Sequence, residues 1–162
     1  MKLQVTASAY IKVPAEQVYA ILANYHDGHP SILPRQYFTD LQIERGGIGT
    51  GTLVRFQMRV MGKTQTFRAE ITEPVPGRVL VERNLPTGAV TTFTVAHRMG
   101  GQHSFVTIST ELETRRGILG ALERFLTQVT LRRIYVQELR LLAARAEIRF
   151  LAPSANAPKA IA

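Results

Sequence analysis

The segment from Gly117 to Phe150 constrains the fold most. It is the one long stretch with neither proline nor strand-like alternation. Leu119, Leu122, Leu126 and Val129 recur in it at three- and four-residue steps, which places them on one face of an α-helix. What precedes it reads as short β runs interrupted by one brief helical stretch. A long antiparallel sheet followed by one long helix predicts a sheet that curls around the helix, with room for a cavity between them.

The chain bears this out segment by segment. From Lys2 to Val13, Leu3, Val5, Ala7, Ala9 and Ile11 alternate with polar residues, the pattern of a half-buried strand. Pro14 suits the first turn of a helix, and Ala15 to Asn24 carries Val18, Ile21 and Leu22 at helical spacing. Gly28, Pro30 and Pro34 break that helix, with a second short turn around 30–33. Six strands follow: Gln36 to Arg45, Thr52 to Met61, Lys63 to Glu73, Arg78 to Asn84, Ala89 to Met99 and Gln102 to Thr114. The cluster Gly46, Gly47, Gly49 and Gly51 lacks the Gly-Lys-Ser/Thr ending of a phosphate loop, and a strand follows it. It reads as a hairpin connection with residues at positive φ. The predicted domain is 1–151, and the Ala- and Pro-rich stretch 152–162 reads as a flexible tail.

Composition excludes several functions. The chain has 162 residues and no cysteine, so disulfides, zinc-thiolate sites and a Cys nucleophile are absent. Met1 to Tyr10 alternates rather than running apolar, unlike a signal peptide, and no run approaches the roughly 18 residues of a membrane span. A cytoplasmic location is expected. The formal charge of +8 comes from scattered residues. It reads as a solvated basic surface, with an anionic membrane as a partner to consider and nucleic acid not expected.

The element order β-αα-β6-α carries a resemblance. Val13-Pro14-Ala15-Glu16-Gln17-Val18-Tyr19 opens the first helix, Gly47-Ile48-Gly49-Thr50-Gly51-Thr52 precedes the third strand, and Glu73-Pro74 with Pro76-Gly77-Arg78 follows the fourth. On these pieces, spread across nearly the whole chain, the protein resembles the START/Bet v 1-like (SRPBCC) superfamily, in its polyketide cyclase/dehydrase and lipid transport branch. All are turn and cap features, which speak to fold rather than chemistry. The resemblance implies an α+β helix-grip fold, a curved antiparallel seven-stranded sheet wrapped on a long C-terminal helix. It also implies a cavity for a hydrophobic or amphipathic small molecule that is lipid-, quinone- or polyketide-like. An enzyme of the cyclase/dehydrase kind is the alternative.

The apolar strand positions Val54, Phe56, Met58, Phe67, Ile71, Phe93, Val95, Val106 and Ile108 are expected to line or support the cavity. Leu122, Phe125, Leu126 and Val129 join them from the helix face. Arg83 shares a strand face with Val79 and Val81, and His97 shares one with Phe93 and Val95. Both are expected to point inward, Arg83 toward a ligand carboxylate and His97 toward a carbonyl; they are also the weak candidates for catalysis. His26, Asp27 and His29 sit in a loop with no fourth ligand in view, so they read as a polar turn at the cavity mouth rather than a metal site. No cofactor is expected, and Glu111 and Glu113 read as a solvent face. Arg133 and Arg140 fall on the Leu122/Leu126/Val129 line, which implies either that the apolar stripe drifts around the helix, the favoured reading, or that a cation enters the cavity with an acidic or ligand partner. Beyond Val129 the helix is apolar on several faces, which calls for cover from the first strand and the 26–34 segment, or from a second copy in a homodimer.

Overall fold

The computed structural model describes residues 1–60 and 62–151. The predicted tail, 152–162, lies outside them. Seven strands form one antiparallel sheet: β1 (Lys2–Ile11), β2 (Phe38–Arg45), β3 (Leu53–Val60), β4 (Lys63–Val75), β5 (Val79–Asn84), β6 (Val90–Arg98) and β7 (His103–Glu113). Their spatial order is β1-β7-β6-β5-β4-β3-β2, so the first strand joins the last while the others form a meander. Among the described residues three α-helices accompany the sheet: α1 (Ala15–Ala23), α2 (Gly28–Ile32) and α3 (Gly117–Leu151). The helix-grip expectation holds, and the element order is the one read from the sequence.

The alternation of apolar residues becomes one buried face through register. Val54 pairs with Ala69, Ala69 with Asn84, Leu80 with Phe93, and Phe93 with Ile108, so all six lie on the concave side. Register shifts in β2 between Thr39 and Gln42, and in β4 between Thr72 and Val75, mark bulges, which bend strands and increase their twist. The curvature lets one sheet cover a helix. The core gathers Val18, Ile21 and Leu22 of α1, Leu80, Val95, Val106 and Ile108 of the sheet, and Ile134, Leu139 and Leu142 of α3.

The glycine loop does more than turn the chain between β2 and β3. Gly47 O accepts from Tyr25 N at 2.8 Å, and Gly49 N donates to Ala23 O at 2.9 Å, which fastens the loop to the end of α1. Gly47 has φ of +134°, and a Cβ there would lie 2.1 Å from Nε2 of His26; at Gly49 (φ +59°) it would lie 2.2 Å from Oε2 of Glu73. Glu73 closes the knot. It receives the Tyr19 hydroxyl at 2.7 Å and the Thr50 amide at 2.7 Å. Burial opposes its charge, yet these bonds hold its carboxyl below the ordinary range. The pieces that carried the family resemblance therefore meet in one structural cluster. Among the described residues, no helix is long and apolar enough to cross a membrane.

Candidate functional site

A pocket of about 410 Å³ lies between the concave face of β2–β7 and α3. That is within the roughly 300–1,000 Å³ typical of small-molecule sites. Its apolar wall comes from Phe38, Val54, Phe56, Met58, Phe67 and Phe93, all from strand positions of one parity. Phe56 and Phe67 face each other across β3 and β4 with ring centroids 5.5 Å apart, nearly parallel.

The inner end is polar. Tyr25, at the end of α1, donates its hydroxyl to Oε1 of Glu82 on β5. His29 of α2 stacks on Tyr25 with centroids 4.5 Å apart. Its Nδ1 lies 2.8 Å from the Leu22 carbonyl, and its Nε2 lies 3.4 Å from Oε1 of Glu82. A carbonyl can only accept, so Nδ1 carries a hydrogen. Its Nε2 faces the Glu82 carboxylate, whose Oε1 already accepts the Tyr25 hydroxyl. On the facing side, Thr91 Oγ1 meets Thr110 Oγ1 at 2.7 Å, and Thr110 in turn bonds the Tyr135 hydroxyl.

Glu138 completes this end. It is 3% exposed, it lines the pocket, and its Oε1 has no hydrogen-bond partner among the described residues. Burial, reinforced by the charge of Glu82, pushes its carboxyl well above the ordinary range. A buried carboxyl with no cation beside it is retained as the neutral acid, which has an O–H to donate. Burial also raises the phenols of Tyr25 and Tyr135, keeping both as donors. The pocket lining includes Glu82, Glu113, Glu123 and Glu138 and no Lys or Arg among the described residues. In a chain of charge +8 this is an inversion: the surface is basic and the pocket acidic.

Of the residues expected to line the cavity, Val54, Phe56, Met58, Phe67 and Phe93 do. Ile71, Val95, Val106 and Ile108 are fully buried but belong to the solid core, where α1 packs on β6 and β7. Arg83 is a correction. β5 has apolar residues of both parities, and its pairing with β6 turns Leu80, Glu82 and Asn84 inward and Arg83 out to solvent. His97 has the inward parity but lies at the far end of β6, exposed, with Nδ1 3.6 Å from Oε1 of Glu16. The helix face is a second correction. Leu122, Phe125 and Leu126 are exposed, and Val129 lies on a groove with Arg132, Arg133 and Arg140 outside the pocket. The stripe read as inward faces out, and Glu123, Thr127, Thr130, Leu131, Tyr135 and Glu138 face in. His29 corrects the mouth reading: it is buried at the inner end, while His26 packs on Gly47. No cluster of three metal-ligating groups occurs among the described residues.

From the sequence no site role is expected of Tyr25, Glu82, Tyr135 or Glu138, and His29 is expected only at the mouth. One signal was present: Ile134, Glu138 and Leu142 recur at four-residue steps, a carboxylate in an otherwise apolar line.

Comparison with solved structures returns the same architecture. The KanY protein superposes with a TM-score of 0.79 at 24% identity, over 91% of this chain and 99% of its own. The Zhui aromatase/cyclase from Streptomyces sp. R1128 gives 0.77 at 19% identity, over 94% and 98%. A START superfamily protein from Mycobacterium smegmatis gives 0.68 at 15%, over 89% and 97%. At such identities the likeness is one of fold. No curated protein matches the sequence. The model of the family described as polyketide cyclase / dehydrase and lipid transport matches residues 2–147. Matched over nearly its whole length and sharing the START-like helix-grip fold, the chain belongs to the polyketide cyclase/dehydrase and lipid transport family.

Proposed function

We propose that this protein binds an uncharged amphipathic small molecule, lipid-, quinone- or polyketide-like, with its apolar body against Phe38, Phe56, Met58 and Phe67 and a carbonyl oxygen at the inner end of the pocket. The observation that carries this reading is Glu138, a buried carboxyl facing the pocket with one oxygen unpartnered. An unmet polar group in the interior costs about 1–3 kcal/mol, and a ligand oxygen accepting its O–H would recover that. The acidic lining disfavours carboxylates, which reverses the preference expected of an inward arginine. Affinity comes mainly from apolar area, at about 25 cal/mol per Å² before ordering costs. Native mass spectrometry of protein purified from its host, followed by identification of the released molecule, tests it. A neutral carbonyl compound is expected; a fatty acid or other anion as the bound species would refute it.

A second reading, a cyclase/dehydrase-type enzyme, is favoured by the placement of the Glu82 carboxylate, with His29 beside it, in the same pocket lining as the neutral Glu138. Glu138 would polarise a ligand carbonyl, and the Glu82 carboxylate would take a proton from the adjacent carbon. The resulting enolate carbon would attack a second carbonyl of the same chain, forming a C–C bond; loss of water would follow. Glu82→Gln separates the readings: turnover lost with binding retained marks an enzyme, and wild type inert toward poly-β-ketone substrates marks a binding protein.

A further inference from the structure

The first half of α3 turns its apolar side away from the protein. Ile118 is 90% exposed, Leu119 85%, Leu122 57%, Phe125 62% and Leu126 40%. At 100° per residue they form one outward stripe about 120° wide, while Glu123, Thr127 and Thr130 on the adjoining flank line the pocket. Contiguous exposed apolar side chains on one helix face mark an interaction surface. The stripe is framed by arginines. Arg115 and Arg116 precede it, and Arg132, Arg133 and Arg140 continue its line beyond Val129. None of these five pairs with an acid among the described residues.

We propose that this face of α3 docks on an anionic phospholipid leaflet, the apolar residues entering the acyl boundary and the arginines meeting lipid phosphates. Charge decides between the two natural occupants. A second copy docking antiparallel by the same face would set Arg115 and Arg116 of each copy against Arg132, Arg133 and Arg140 of the other, a like-charge pairing that opposes the contact. An anionic leaflet neutralises the same charges, and an Arg-framed apolar helix face is the composition of an interfacial helix. The position also fits. The exposed Glu113 and Glu123 line the pocket, so its opening lies beside the start of α3. Docked there, the protein would present the pocket to the leaflet, and an apolar ligand would pass between them without crossing water. The docking itself does not depend on what the pocket holds.

Vesicle co-sedimentation tests it. Wild type is expected to bind phosphatidylcholine vesicles containing phosphatidylglycerol, to bind pure phosphatidylcholine at least about tenfold more weakly, and to dissociate in about 0.5 M salt. Leu122→Ser/Phe125→Ser, on an exposed face, should keep the fold by circular dichroism and weaken binding about tenfold or more, equivalent to roughly 1.4 kcal/mol. Arg132→Gln/Arg133→Gln should remove the preference for phosphatidylglycerol. Binding unaffected by either pair, or none at low salt, overturns the proposal. So does a wild-type dimer in light scattering that Leu122→Ser/Phe125→Ser converts to monomer, since the face would then belong to a second copy.

Discussion

The two halves of α3 obey opposite rules. From residue 131 on, Ile134, Tyr135, Glu138, Leu139, Leu142 and Ala146 are buried, and the helix packs as core. Between 117 and 130 only Gly120 is buried, the side facing the protein is polar, and the apolar stripe faces out. The difference lies in what each half spans. The second half rests on α1, α2 and β1. The first half bridges a pocket, where there is no core to receive Leu122 or Phe125. Apolar periodicity thus locates a helix face but does not say whether a core or another surface covers it.

Substitutions can break or sharpen that contrast. The largest effect is expected in the packed half: Leu142→Ala, at a fully buried site, should lower stability by about 2–5 kcal/mol in urea unfolding. Glu138→Gln should change how stability varies with pH. Its carboxyl is raised in the folded protein above the ordinary 4.5, so the native state holds the proton more tightly. Wild-type stability should therefore fall as pH rises above about 4.5 toward the raised value, and the variant should lose that part of the slope, read from melting temperatures across pH. Tyr135→Phe removes the hydroxyl that meets Thr110 and should cost about 1 kcal/mol. In the bridging half, Leu122→Ser should stay within about 0.5 kcal/mol of wild type. A cost of several kcal/mol there would show that the stripe is buried in solution, and the contrast between the halves would fail.

Most of the fold was legible because its signals are local. Strand alternation, Pro14, the glycine loop and the proline-free helix each declare themselves within about ten residues. The site was less legible because it depends on register and on neighbours distant in sequence. β5 carries Val79, Leu80 and Val81 in a row, so its inward parity is undetermined until Leu80 is seen opposite Phe93. That one-residue choice exchanged an inward Arg83 for inward Glu82 and Asn84, and with it the sign of charge in the pocket. Tyr25 and His29 lie in a stretch that reads as a broken loop, and only the tertiary fold brings their side chains to Glu82 of β5. Glu138 was visible as a charged residue in a buried line, but attention to the more strongly apolar Leu122 stripe hid it. Arg133 and Arg140 lie on the outward face in line with Leu122, and beyond residue 131 the apolar side of the helix shifts to the face packed on the protein, so the stripe does move around the helix.

The central claim is that Glu138, as a neutral acid, receives a ligand oxygen. Calorimetric titration of acetylnaphthalene, an uncharged ketone, and of naphthoate, its carboxylate counterpart, tests it most directly across pH. The account predicts that the ketone binds more tightly than naphthoate and weakens as pH rises and Glu138 ionises. Glu138→Gln, which keeps an N–H donor, should bind the ketone with no such pH dependence, and Glu138→Leu should bind it about tenfold more weakly. Naphthoate binding as tightly as the ketone, or ketone affinity indifferent to both substitutions, would contradict it.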